Sequence, residues 1–123
     1  MVCVKWFRLL LPLGFACLLL GQLREGNFDI RFEPEAKLQT AAPIPYRITV
    51  RDDRSQPVVQ ADVTLRIETT DHQNVQTFKA PMLDPGMYRA KPVFSRSGQW
   101  NVTVDVKRNN GLSSRTITYT VPD

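Results

Sequence analysis

From Phe28 onward the apolar positions recur every second residue, the period of strands with one buried and one solvated face. Phe28, Ile30 and Phe32 alternate with Asp29, Arg31 and Glu33, and Tyr46, Ile48 and Val50 with Arg47, Thr49 and Arg51. Val63, Leu65 and Ile67 alternate with Thr64, Arg66 and Glu68. Further on, Trp100, Val102, Val104 and Val106 alternate with Asn101, Thr103, Asp105 and Lys107, and Ile117, Tyr119 and Val121 with Thr116, Thr118 and Thr120. Two less regular runs, at residues 75–79 and 87–94, raise the expected set to about seven strands, the number of an immunoglobulin-type sandwich.

Turn chemistry fills the gaps. Residues 52–57 (DDRSQP) and 70–74 (TDHQN) separate successive strands, and Asp84-Pro85-Gly86 offers a preset φ followed by a residue that accepts a positive one. Residues 95–98 and 108–111 read as short hairpin loops, the second around Asn109-Asn110-Gly111. Pro34, Pro43 and Pro45 exclude a helix between the first two strands. The expected fold is therefore all-β, an immunoglobulin-like β-sandwich with apolar inner faces, preceded by one hydrophobic N-terminal helix.

That helix is expected within residues 1–23, where Lys5 and Arg8 precede an apolar run at residues 9–20. A basic start followed by such a run is the pattern of an export signal. No small-x-small cleavage pattern follows it, and residues 6–23 reach the short end of a bilayer span, which favours a retained signal-anchor over a cleaved signal peptide. Either way the positive-inside rule places the domain on the periplasmic or extracellular side. Residues 24–44 are read as the first strand and its connection, and residues 45–123 as the rest of the sandwich.

Charge and cysteine content narrow the function. With Lys5 and Arg8 set aside, 14 of the 16 basic residues face 12 acidic ones, and this small excess on alternating strands leaves no footprint for nucleic acid. Both cysteines, Cys3 and Cys17, lie in the leader, so the domain has no disulfide and no thiolate ligand. With one histidine and no glycine-rich phosphate loop, little remains for acid–base or nucleophilic chemistry, and no enzyme is expected.

The most specific local pattern is Asp84-Pro85-Gly86-Met87-Tyr88-Arg89-Ala90, which follows the spacing of a tyrosine corner. Asp84, Gly86 and Tyr88 are accordingly expected to be structural, the tyrosine hydroxyl tying the turn to nearby backbone. Trp100 shares the parity of Val102, Val104 and Val106 and is expected in the core.

Together with residues 45–50, 57–58, 61–65 and the closing Tyr119-Thr120-Val121-Pro122, the pair G-x-Y-x-A and S-G-x-W-x-V-x-V (residues 86–90 and 97–104) resembles the FixH/YtkA-like family of bacterial extracytoplasmic immunoglobulin-like domains. The resemblance implies a non-catalytic accessory role in the cell envelope. It points to a membrane-anchored module with an envelope or membrane protein partner, such as a haem-copper oxidase under assembly. It also implies an alternative, a periplasmic copper-binding carrier or metal-resistance accessory protein. For copper the domain offers only His72 in the loop 70–74 and Met82 and Met87 beside the Asp84-Pro85-Gly86 turn. A tight copper site needs several nitrogen or several soft sulfur donors, so the expectation is no metal and no cofactor.

Overall fold

Each alternating run becomes a strand with its apolar side turned inward. A computed structural model describes residues 28–123; the expected leader, with Cys3 and Cys17, lies outside the described residues. Among the described residues the strands are β1 (Asp29–Pro34), β2 (Tyr46–Arg51), β3 (Asp62–Thr69), β4 (Val75–Lys79), β5 (Met82–Asp84), β6 (Met87–Ala90), β7 (Gly98–Arg108) and β8 (Gly111–Val121). They form two four-stranded antiparallel sheets, ordered β1-β2-β6-β5 and β4-β3-β7-β8. Consecutive strands pair as hairpins within one sheet (β1 with β2, β3 with β4, β5 with β6, β7 with β8), and the chain crosses between sheets after β2, β4 and β6. The result is the expected β-sandwich.

Inward alternation builds the core. In β3 Val63, Leu65 and Ile67 are buried, in β7 Trp100, Val102, Val104 and Val106, and from the facing sheet Tyr46, Ile48 and Val50. The register pairs Leu65 with Val104 and Ile67 with Val102, so the two central strands of one sheet present a continuous branched aliphatic surface.

Three features differ from the reading of the sequence. The run at residues 87–94 ends as a strand at Ala90, because Lys91 and Pro92 leave the sheet and proline supplies no N–H to continue a ladder. The chain there turns against the connection between β1 and β2, where the Ala41 N–H donates to the Phe94 carbonyl (2.9 Å) and the Ile44 N–H to the Pro92 carbonyl (2.9 Å). Residues 95–97 belong to the crossing between sheets rather than to a hairpin, and Gly98 already opens β7. The short strand β5 is an addition, bringing the strands to eight.

The side of the sandwich where β1 meets β8 is closed by side chains. The Arg115 guanidinium donates to the Ile30 carbonyl (2.7 Å), and the Phe28 N–H reaches the Ser113 hydroxyl (3.4 Å). The Phe28 N–H, just ahead of β1, and the Ile30 carbonyl at its start are thus partnered without a further strand, one way to blunt a sheet edge.

Candidate functional site

At the Asp84-Pro85-Gly86 turn, Asp84 ends β5 and pairs with Met87 at the start of β6. Asp84 itself is exposed, while Gly86 adopts φ 76° and its carbonyl accepts the Val50 N–H at 2.9 Å. Tyr88 is buried, and its hydroxyl donates to the Val58 carbonyl (2.7 Å) and accepts the Ala61 N–H (3.2 Å). The sequence suggested that the hydroxyl would tie the turn to nearby backbone. The backbone it grips is the crossing from β2 to β3, some thirty residues upstream, because β6 lies beside β2 and faces that crossing. Tyr88→Phe removes both bonds and leaves a buried carbonyl short of a donor, so it should cost on the order of 1–3 kcal/mol. Urea unfolding of the purified protein should show a lower midpoint at unchanged slope; an unmoved midpoint would mean the tie contributes nothing.

His72 stands at the tip of the β3–β4 turn with φ 63°, its N–H donating to the Thr69 carbonyl (2.8 Å) and its ring Nδ1 lying 2.5 Å from Glu68 Oε2. Thr69 Oγ1 accepts the N–H groups of Gln73 (3.2 Å) and Asn74 (3.1 Å), which closes the turn. Asp71 accepts from the Gln73 N–H (3.0 Å) and from Arg96 (2.7 Å). The Thr69 hydroxyl first, then these bonds, lower its carboxyl to about 2.

Met82 and Met87 lie elsewhere, Met82 exposed on β5 and Met87 half-buried on β6. Tyr88, next to Met87 and paired with Met82, reaches Ala61 just before β3, whereas His72 lies beyond the other end of β3. An eight-residue strand at about 3.3 Å per residue separates the two ends by roughly 25 Å. Donors sharing one ion at ~2.0–2.3 Å sit about 4 Å apart, so the three side chains do not form one site. Among the described residues no group of three His, Cys, Asp or Glu converges either.

Trp100 is buried in the core, edge-on to Phe94 with ring centroids 5.3 Å apart at 70°, and its indole N–H donates to the Arg96 carbonyl (3.0 Å). Tyr46 is buried as well, with Tyr119 edge-on at 5.7 Å. Burial, helped by the neighbouring Tyr119, pushes its phenol above the usual range. Neither residue offers reactive chemistry at the surface.

The feature the sequence did not single out is the side opposite β1 and β8. There β4 pairs only with β3, and β5 only with β6, so each leaves one backbone edge open. Val75 on β4 and Met82 and Leu83 on β5 are 53, 42 and 47 % exposed, three of the four exposed large hydrophobic residues among those described. The signal was present in the short irregular runs: Met82 and Leu83 are adjacent apolar residues, and Val75 opens a run in which apolar residues do not recur every second position.

The sequence matches the YtkA-like family over residues 22–105, from ahead of β1 into β7. The chain belongs to the YtkA-like family. Among solved structures this YtkA-like domain is similar to a DUF4785-family protein from Legionella pneumophila subsp. pneumophila, with a TM-score of 0.56 and 16% identity, covering 77% of this chain and 28% of that one. The chain thus spans just over a quarter of that protein, and the likeness is one of fold. No curated protein matches the chain. No helix among the described residues is long and apolar enough to cross a membrane.

Proposed function

We propose that this YtkA-like domain is a non-catalytic accessory module of the cell envelope, held at the membrane by its N-terminal segment. It docks a larger membrane or envelope protein along the β4–β5 side, as in the assembly of a haem-copper oxidase. The supporting observation is a clustering: the β4–β5 side combines two open backbone edges with Val75, Met82 and Leu83. On the opposite side Arg115 and Ser113 tie the start of β1 to β8, and Leu112 is the one exposed large apolar side chain among the described residues. An extended segment of a partner can add to such an edge through main-chain bonds, and exposed apolar side chains supply the contact area. The anchor draws on Lys5, Arg8 and the apolar run behind them. The alternative, copper carriage, would have to draw donors from opposite ends of the domain, or from two molecules.

The test places a photo-crosslinking residue at Leu83, and separately at the exposed Thr118 on the β8 edge, in full-length protein expressed in its own membranes. The protein should stay with the membrane after an alkaline carbonate wash, and a discrete adduct should form from position 83, be lost with Val75→Lys, and be absent from position 118. A soluble product lacking residues 1–23 would overturn the anchor. Adducts from position 118 alone would overturn the docking side.

A further inference from the structure

On the closed side of the sandwich an open trough of about 1070 Å³ runs along β1, bounded by β2 and β8. Four arginines line it, Arg31, Arg47, Arg51 and Arg115, against two carboxylates, Asp29 and Glu33. Both carboxylates are engaged, Asp29 by Arg31 at 3.1 Å and Glu33 by Arg47 at 2.6 Å. Arg51 and Arg115 have no carboxylate partner among the described residues. Each is pinned by one backbone carbonyl, Arg51 by Ser55 (3.0 Å) and Arg115 by Ile30 (2.7 Å). A guanidinium carries five N–H donors in a rigid fork, so a single bond to a carbonyl orients the group and leaves the other donors unspent. The trough therefore presents two oriented guanidinium groups without a direct ion pair among the described residues, one on either side of β1, with Asp29 facing Arg51 across the β1–β2 register.

Shape selects among anionic ligands. The volume exceeds the roughly 300–1,000 Å³ of small-molecule pockets, and the trough follows a six-residue strand, about 20 Å at 3.3 Å per residue. Arg51 bonds toward the loop after β2 while Arg115 bonds to the Ile30 carbonyl from the other side, so at the Asp29–Ile30 end β1 itself lies between the two guanidinium groups, and a segment lying along β1 can reach both. The half-buried Phe28 and Ile117 add apolar lining. Because β8 side chains already occupy the Phe28 N–H and the Ile30 carbonyl, recognition rests on side-chain charge rather than on strand addition. We propose that this trough binds an extended acidic polypeptide segment of about six residues, its carboxylates bridging Arg51 and Arg115. The contact is separate from the β4–β5 docking side and stands whether or not that reading holds.

The probe is a fluorescein-labelled Glu-Val-Glu-Val-Glu-Val peptide, titrated by anisotropy with the full-length protein in neutral detergent, alongside its Lys-Val counterpart. Binding should be confined to the acidic peptide and weaken at least fivefold with Arg51→Gln, at an exposed position, with an unchanged circular dichroism spectrum. Arg115→Gln should weaken it similarly, and Lys79→Gln on the opposite side should leave it within twofold. Equal weakening by Lys79→Gln, equal binding of both peptides, or no binding of either would overturn the proposal. So would a preference for anionic phosphatidylglycerol micelles over the peptide that Arg51→Gln abolishes.

Discussion

Trp100→Ala should remove about 3–5 kcal/mol of folding stability, the range for deleting a large aromatic from a packed core. Trp100 is 1 % exposed and meets Phe94, itself fully buried, edge to face. Its indole also supplies the hydrogen bond to the Arg96 carbonyl that holds the crossing from β6 into β7. Truncation opens a cavity at one end of the core and frees that crossing together with Arg96, the partner of Asp71 in the β3–β4 turn. Domains of this size have roughly 5–15 kcal/mol in total and lose about 4–8 °C of melting temperature per kcal/mol, so the variant should melt tens of degrees lower. Calorimetry or thermal circular dichroism measures it. A shift under 5 °C would mean that the packing around Trp100 can collapse to fill the space, and that its burial does not anchor that end. Trp100→Phe keeps the aromatic contact and loses the indole N–H, and it should fall between the two.

How much of this was legible in the sequence follows from which forces act locally. Strict alternation located β2, β3 and β7, because a one-residue slip in any of them would turn every apolar side chain to solvent. Asn109-Asn110 gave the last hairpin, and Asn109 takes the left-handed φ of 54° that a two-residue turn asks of one of its residues. What escaped depends on contacts distant in sequence. The short strand β5 has no buried alternation, and its pairing with β6 is set by the turn between them. The end of β6 at Ala90 depends on the connection between β1 and β2 capturing residues 92–94. The separation of His72 from Met82 and Met87 follows from the chain crossing between sheets after β4, and strand order cannot be read from alternation. Sealing of the β1 edge by Ser113 and Arg115 was invisible for the same reason. Arg115 has the inward parity of Ile117 and Tyr119, yet at an edge strand its side chain can swing sideways to the Ile30 carbonyl.

Gly86→Ala should be nearly as damaging as loss of Trp100, and for a reason that involves no cavity. Gly86 has φ +76°, where an L-residue with a Cβ loses roughly 1–2 kcal/mol. The surroundings leave no room for relief. A Cβ there would lie 2.6 Å from the Pro57 Cβ, 3.0 Å from the Pro57 Cα and 3.1 Å from the Val50 carbonyl oxygen. Neither obstacle is a flexible side-chain tip: Pro57 is a rigid ring, bridged to Arg51, and the Val50 carbonyl accepts the Val58 N–H at 3.0 Å. Moving either one disturbs the crossing that the Tyr88 hydroxyl grips at Val58 and Ala61. Overpacking of this kind adds about 1–3 kcal/mol, so the substitution should cost on the order of 2–5 kcal/mol in urea unfolding. The clash and the backbone term separate experimentally, because Pro57→Gly removes the Cβ of the 2.6 Å contact but leaves φ at residue 86 unchanged, whereas Pro57→Ala removes only the outer atoms of the ring. Since the Pro57 Cβ and Cα remain in that variant, Gly86→Ala should stay costly on its background, and only Pro57→Gly, which removes the 2.6 Å contact, should recover part of the loss. A Gly86→Ala protein with a wild-type midpoint would show that the turn can be rebuilt without the left-handed residue, and would remove the physical basis for reading Asp84-Pro85-Gly86 as the device that delivers Tyr88 to its place.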